Sequence, residues 1–396
     1  MFSVSPYIQH NINSSRNLAF TGNKHDKSIN IQGRETTAKV FTDNINESTY
    51  EQIKTIVSHP TLRDVPVRIM PDTHAGKNAV VGFTAPVDVS RGIIPGLIGG
   101  DIGCGVLCTE VDTKGQDIDY NKLDKVIRTY ITPPNPKRTE IKRNELSKHG
   151  KSIENKCREY GESSAKAIDK LGTLGNGNHF IEIDKDKEGR TYLVVHSGSR
   201  WFGNKIYHHH DKIAQKQNPY EINELSYLKG DEAKEYLRDM DLAIKYSQLN
   251  RKIIAEEIIN EMGWEEKSSF ETIHNYISDD GILRKGAIRS NSGDIVIIPL
   301  NMRDGAILAE GKGNPDWNNS APHGAGRQYS RREANSQLSL DEYQKEMEGI
   351  HSSCISAETL DESPMAYKPS EEITDNIQDT VDITDVIKPV FNFKNK

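Results

Sequence analysis

Six residues have the types and settings to do chemistry: Asp101, Cys104, His179, His196, His274 and His323. Asp101 and Cys104 stand three apart in Gly99-Gly-Asp-Ile-Gly-Cys-Gly105, where four of seven residues are glycine. Glycine frees the backbone to take positive φ and to approach a ligand closely. A hard oxygen beside a soft sulfur suits a transition metal better than calcium. The same run also fits a tight turn around a buried structural Cys, since free Cys is among the most buried residue types. Any one of the histidines is better read as an ordinary side chain with no ligand. The set together is harder to dismiss. Asp, Cys and three His can hold two divalent ions through mixed O, S and N donors, with the carboxylate and thiolate as bridges. Affinity alone favours zinc or copper over manganese, so donor type does not name the ion.

His323 stands apart. It opens His323-Gly324-Ala325-Gly326-Arg327, a small-residue loop with a guanidinium four positions on. Backbone amides of such a loop can cradle phosphate oxygens. Arg327 is a candidate bidentate phosphate partner. Beside a metal-bound phosphate, a neutral imidazole is a competent nucleophile. The residues alone leave His323 equally open as a nucleophile and as a fourth metal-binding histidine.

Strands and loops must position these groups. A strand begins near Val40, a helix follows near Tyr50–Ser58, and a second strand spans Val65–Met70. Pro71-Asp-Thr-His-Ala-Gly76 reads as a polar loop at its end, with Asp72 and His74 in period-2 register on one side. Val80–Val89 is an apolar strand. Asp117–Thr132 reads as a helix, followed by a Pro-rich loop at Pro133–Pro136, and Ser147–Leu171 as a charged helix. Gly172–Glu182 is a glycine-rich loop entering a strand. Tyr192–Val195 is a strand carrying His196-Ser-Gly-Ser-Arg200 at its end, where α/β proteins tend to place sites. Asp231–Met262 has helical apolar spacing through Met240, Ile244, Ile254 and Ile258, and is assigned packing and no chemistry. Asp294–Leu300 is a further strand, with a loop over Gly311–Asn319. The triple His208-His209-His210 is expected on a solvated helix face, because adjacent helical residues diverge.

The 396 residues allow one large domain or two ordinary ones. Net charge is −7 and pI about 6.0, so any affinity for nucleic acid must be local rather than a general basic coat. Apolar content is 35% with mean hydropathy −0.68, low but sufficient for a core at this length. No apolar run approaches the roughly 18 residues a membrane helix needs. Residues 1–30 are polar and rich in Asn and Ser, and are expected to be a flexible extension without an apolar secretory segment. The four cysteines, Cys104, Cys108, Cys157 and Cys354, form no CxxC pair. That pattern fits a reducing compartment, and a cytoplasmic protein is expected. Cys108 is assigned to packing.

The ordered motifs Pro71-Asp-Thr-His-Ala-Gly76, Gly99–Gly105, Gly177-Asn-His-Phe-Ile-Glu182, His196–Arg200, His274-Asn275, Arg284-Lys-Gly-Ala287 and His323–Arg327 together resemble the RtcB family. These are GTP-dependent RNA ligases joining 3′-phosphate or 2′,3′-cyclic phosphate ends to 5′-hydroxyl ends. The resemblance runs from about Val40 to Lys394. It implies one RtcB-like α/β catalytic domain over residues 31–396, with mixed sheets around a metal-binding cleft and helices outside. Asp101, Cys104, His179, His196 and His274 match the ligands of two Mn2+ ions, and His323 matches the histidine that takes GMP from GTP. Nucleotide contacts fall at Asn178, Glu182, Gly324, Ala325, Gly326, Tyr367 and Lys394. Arg200, Arg284, Lys285 and Arg289 are the candidates for RNA phosphate. Leu300-Asn-Met-Arg-Asp-Gly-Ala306 departs from the family's guanine-reading segment. The implied partners are RNA and an archease-like activator, with no membrane, for a protein expected to be a monomer in RNA repair or tRNA splicing. A dinuclear metal-dependent phosphoesterase is the alternative enzyme class that the same ligands would serve.

Overall fold

The computed structural model describes residues 27–77, 79–132 and 151–395. Its strands are β1 (Ile29–Gln32), β2 (Thr37–Val40), β3 (Val67–His74), β4 (Val81–Pro86), β5 (Gly105–Asp112), β6 (Phe180–Lys185), β7 (Thr191–Ser197), β8 (Glu265–Ile273), β9 (Asn275–Ile277), β10 (Ile282–Lys285), β11 (Ala287–Arg289), β12 (Ile295–Asn301), β13 (Gly305–Gly311), β14 (Ser320–Pro322) and β15 (Val381–Phe393). One sheet has six strands in the order β1-β2-β3-β4-β10-β9. The β2–β3 pair is parallel and its other pairs are antiparallel. A second sheet has seven antiparallel strands in the order β12-β13-β15-β6-β7-β5-β8. The short pair β11–β14 lies apart. This is the mixed α/β architecture expected from the motifs.

Each large sheet buries its own core. Ile31, Val40, Ile69 and Phe83 of the first sheet pack with Ile53 of the Glu47–Ile56 helix and with Phe202 and Tyr236. Ile181, Leu193, Val195 and Phe391 of the second pack with Leu123 and Ile258. The Gly230–Met262 helix serves both. Ala233, Tyr236, Met240 and Ala243 enter the first core, and Ile254, Ile258, Ile259 and Met262 the second. At about 1.5 Å rise per residue it spans roughly 50 Å. It stops at Gly263, whose φ of 77° is the left-handed C-terminal cap.

That helix does more than pack. Ser247, Asn250 and Arg251 are fully buried and grip the loops that carry the site. The Ser247 hydroxyl donates to Gly103 O at 2.7 Å. Arg251 Nη1 donates to Gly103 O at 2.9 Å and to Ser197 O at 2.8 Å. Asn250 Oδ1 accepts from the Gly172 and Thr173 amides. Three side chains at helical spacing thus fix the loops before His179, around Cys104 and after His196.

Several expectations are corrected. Pro71–His74 is not a loop but the end of β3. The helix expected at Tyr50–Ser58 starts three residues earlier, where the Asn46 side chain caps Thr49 N. The helical stretch ending at Leu171 is two pieces, 151–159 and Ser164–Lys170, broken at Gly161 with φ 68°. Asp117–Thr132 shortens to an α-helix at Tyr120–Val126 and a π turn at Ile127–Ile131. Strands β13 and β15 were not anticipated, and Pro389 sits where the β15–β6 register shifts, the position a sheet tolerates for proline. His210 is not solvated: it is fully buried, with Nε2 2.8 Å from Asp239 of the neighbouring helix. Residues 1–26 and Pro133–Pro136 lie outside the described residues, while Ile29 and Asn30, assigned to the extension, form part of β1. Among the described residues, no helix is long and apolar enough to cross a membrane.

Candidate active site

Strands of both sheets end at one cavity of about 740 Å³. Cys104 precedes β5, His179 precedes β6, His196 ends β7 and His274 joins β8 to β9. These strands are neighbours in the second sheet, so their ends bring the four residues together. His179, His196 and His274 are buried, and so is Cys104. Cys104 Sγ lies 3.4 Å from His179 Nε2 and 3.3 Å from His196 Nε2. His196 Nε2 is 3.4 Å from His274 Nε2, and His179 Nε2 is 3.1 Å from Asp101 Oδ2. Two triads result, Cys104–His196–His274 and Asp101–Cys104–His179, each with its donor atoms within 4.8 Å of one another. Cys104 belongs to both.

The imidazoles are preset for ligation. His179 Nδ1 donates to Leu174 O at 2.9 Å and His196 Nδ1 to Asn178 O at 3.1 Å, which leaves each Nε2 bare toward the cluster. Burial, then the neighbouring imidazoles, pushes His196 and His274 well below the ordinary histidine range, so both are neutral donors. Burial tends to raise Asp101, but His179, Cys104 and Arg200 outweigh it and hold the carboxylate ionised. Burial and Asp101 raise the Cys104 thiol, a cost that a bound cation would remove. Donor type, convergence and tautomer therefore fit a pair of transition-metal ions sharing Cys104.

His323 follows β14, with its ring centroid 4.7 Å from that of His274. Its Nδ1 donates to Asp72 Oδ2 at 2.6 Å, and its backbone N–H donates to the same oxygen at 3.2 Å. Asp72 is fully buried at the end of β3. The contact is tight enough that a Cβ on Gly326 would stand 2.0 Å from Asp72 O, and Gly326 has φ 73°. Asp72 thus fixes the imidazole and turns Nε2 to the cavity, as an orienting carboxylate does for a catalytic histidine. In the sequence Asp72 stands out for its register with His74 and its place in the Pro71–Gly76 motif, neither of which points to His323. Its pairing with His323 joins residues 251 apart and had no local signal.

On the same cavity, Glu362 collects charge. It is 1% exposed. Tyr367 OH donates to Glu362 at 2.6 Å, Lys394 Nζ lies at 3.0 Å and Arg327 Nη1 at 3.4 Å, and Arg331 also pairs with it. Burial works against ionisation, but Lys394, Arg331 and Arg327 prevail and lower Glu362 to about 2. Arg327 is therefore committed to protein partners, contrary to its expected role on phosphate. Glu182 accepts from Asn392 Nδ2 at 2.6 Å, and burial pushes it up to about 7 against the pull of Asn392 and Lys394. Asn178, Gly324, Ala325 and Gly326 also line the cavity, as do Leu300, Asn301 and Met302 of the divergent segment. Glu362 escaped the sequence reading although it stands only five residues before Tyr367.

The four cations expected on RNA separate. Arg284 is fully buried, tied to Asp280 at 3.0 Å, to Ser320 Oγ at 2.9 Å and to the Asn319 carbonyl, so it cannot meet a phosphate. Arg289 pairs with Asp294 at 2.9 Å. Lys285 and Arg200 line a second, smaller cavity with Lys77 and Lys170, and Asp101 lines both cavities. Cys108 packs with Val106, Phe180 and Val194, as expected.

Fold and site together define a mixed α/β protein with a candidate dinuclear metal centre beside a carboxylate-held histidine. The family model of tRNA-splicing ligase RtcB matches residues 52–395. The chain is 28% identical over 367 residues to RNA-splicing ligase RtcB of Escherichia coli strain K12, covering 82% of this chain and 88% of that protein. It is 27% identical to RNA-splicing ligase RtcB2 of E. coli strain ATCC 25922, over 87% and 91% of the two chains. It is 25% identical to tRNA-splicing ligase RtcB of Methanococcus maripaludis, over 89% and 92%. The chain belongs to the RtcB family.

Proposed function

We propose that this protein is an RNA ligase that joins a 3′-phosphate or 2′,3′-cyclic phosphate end to a 5′-hydroxyl end, using GTP and two Mn2+ ions. The observation that carries the reading is one cavity lined by Asp101, Cys104, His196 and His274 of the donor cluster, by His323 held on Asp72, and by Glu182, Tyr367 and Lys394. Asp101, Cys104, His179, His196 and His274 would hold the ions. Bound divalent ions polarise phosphate oxygens and neutralise a leaving pyrophosphate.

The chain's own residues do the rest. Asp72 keeps the proton on His323 Nδ1, so the Nε2 lone pair attacks the α-phosphorus of GTP. The Nε2–P bond forms, the α–β bridging P–O bond breaks, and pyrophosphate leaves with the electron pair. Glu182 accepts from the guanine N–H groups, and Tyr367 and Lys394 hold its other edge. The RNA 3′-phosphate then takes GMP from His323, and the 5′-hydroxyl displaces GMP to close the strand. A cyclic phosphate is first hydrolysed.

An RNA carrying a 3′-phosphate and a 5′-hydroxyl tests this directly. Joining should require both GTP and Mn2+, and the 3′-hydroxyl/5′-phosphate isomer should not be joined. Release of phosphate without joining or GTP consumption would replace the ligase with a phosphoesterase.

A further inference from the structure

Glu182 lines the larger cavity, and one buried side chain holds it. Strands β6 and β15 pair so that Glu182 stands directly opposite Asn392. Ile181 and Ile183 on β6, and Phe391 and Phe393 on β15, turn into the second core. Side chains alternate along a strand, so Glu182, Asn392 and Lys394 turn to the other face. There Asn392 Nδ2 donates to Glu182 Oε1 at 2.6 Å. Among the described residues, this is the one hydrogen bond that reaches the Glu182 carboxyl. Asn392 itself is fully buried and does not line the cavity.

Packing does not account for an asparagine here. Its Oδ1 is buried and has no partner among the described residues. An orphaned acceptor is destabilising, and an apolar side chain of similar size would leave none. Its neighbours Val390, Phe391 and Phe393 are all apolar. What the amide supplies is its N–H, and that N–H goes to Glu182. The strand end is anchored where it delivers this bond. Asn392 N donates to His351 O at 3.0 Å, and His351 N to Val390 O at 3.0 Å. The His351 ring stacks on Phe391, with centroids 5.8 Å apart.

The charged groups nearby make the amide matter. Burial pushes Glu182 up to about 7, and Asn392 and Lys394 pull against it. Lys394 is shared, since its Nζ lies 3.0 Å from Glu362. Asp184 is two residues along the same face of β6, fully buried, with neither oxygen partnered among the described residues. Burial, then the charge of Glu182, raises Asp184 well above the carboxylate range against the pull of Lys388. Asp184 is therefore neutral and adds no charge beside Glu182. Without the Asn392 donor, burial would leave Glu182 protonated at neutral pH.

That protonation state selects the purine. Guanine offers N–H donors at N1 and N2, and an ionised carboxylate only accepts. Adenine offers a bare N1, which the O–H of a protonated carboxyl can meet. A site built to bond a substrate N–H strongly rejects an analogue that lacks it.

We infer that Asn392 is a positioning residue for the nucleobase: its amide fixes Glu182 as an acceptor aimed into the cavity, and so makes the site choose guanine over adenine. This rests on the ligase reading above.

The test incubates the full chain with Mn2+ and α-labelled GTP or ATP, without RNA. Label on the protein is followed against nucleotide concentration between about pH 6 and about pH 8.5, the range that brackets the Glu182 carboxyl. Asn392→Leu should raise the KM for GTP about tenfold near neutral pH and leave the maximal rate within about twofold. The rise should be greatest at the acid end and fade at the alkaline end, where a carboxyl with a raised pKa ionises again. The preference for GTP over ATP should fall roughly tenfold at the acid end and return at the alkaline end. An unchanged KM and preference overturn the inference. So does a rise in KM that is the same at every pH and for both nucleotides, as a merely damaged pocket would give. If thermal melting shows Asn392→Leu to be unfolded, Asn392→Val, suited to a strand, removes the same donor and must give the same pH-dependent rise. A wild-type protein that takes label from neither nucleotide would strike the ligase reading, and this inference with it.

Discussion

The two cavities that meet at Asp101 treat positive charge in opposite ways. In the larger, Arg327, Arg331 and Lys394 converge on one buried carboxylate, Glu362, and Tyr367 donates to it as well. In the smaller, Lys77, Lys170, Arg200 and Lys285 stand without an ion-pair partner among the described residues. A neutralised, hydrogen-bonded pocket is preorganised for a compact ligand read by direction. Cations without a carboxylate at ion-pair distance keep their charge for an anion from outside.

Substitutions that test this contrast fall in a clear order. Cys104→Ala should have the largest effect, since both donor triads share the thiolate. Metal measured on the purified protein should drop, and GMP attachment and joining should fall below detection. Asp72→Asn should retain metal but slow GMP attachment by about 10²–10⁴-fold, the loss expected when the group orienting a catalytic imidazole is neutralised. Retention of the wild-type rate would remove Asp72 from the chemistry.

Glu362→Gln should raise the KM for GTP and cost about 3 kcal/mol in denaturant unfolding, because buried Lys394 and part-buried Arg327 lose their counter-charge. The wild-type contribution has a definite pH sign. Glu362 is depressed to about 2, so its stabilisation is complete above the ordinary carboxylate range of ~4.3 and is lost as pH falls toward 2. An acid transition no different in Glu362→Gln would contradict this.

Arg284→Met should behave as a core lesion of about 3 kcal/mol with the KM for RNA unchanged, since Asp280 is left without its partner. A raised KM at full stability would return Arg284 to the RNA surface. Arg289→Gln should be smallest, under about 1 kcal/mol, because the pair with Asp294 is partly exposed.

The candidate metal ligands were legible because each sits among small residues at the end of an apolar stretch, and strand ends from one sheet must converge. Their partners were not. Asp72 meets His323, Glu362 meets Lys394 and Asn250 meets the Gly172 loop only after long-range folding. Arg284 shows the reverse error. Arginine in a motif looks like a phosphate ligand, but Asp280, four residues before it, was already available to take the charge inward. His210 failed likewise, since the helix periodicity does not reveal that Asp239 would draw it into the interface. Strand β13 is a short Ala-Gly-rich run between glycines, with little β propensity of its own, and exists because β12 and β15 flank it.

The most direct measurement is incubation of the purified chain with α-labelled GTP and Mn2+ without RNA, followed by denaturing electrophoresis. The account predicts label that stays on the protein, is released by acid as a phosphoramidate should be, and is missing from His323→Ala while that variant still binds metal. A folded, metal-loaded wild-type protein that takes no label, or a His323→Ala variant that takes it, would contradict the account.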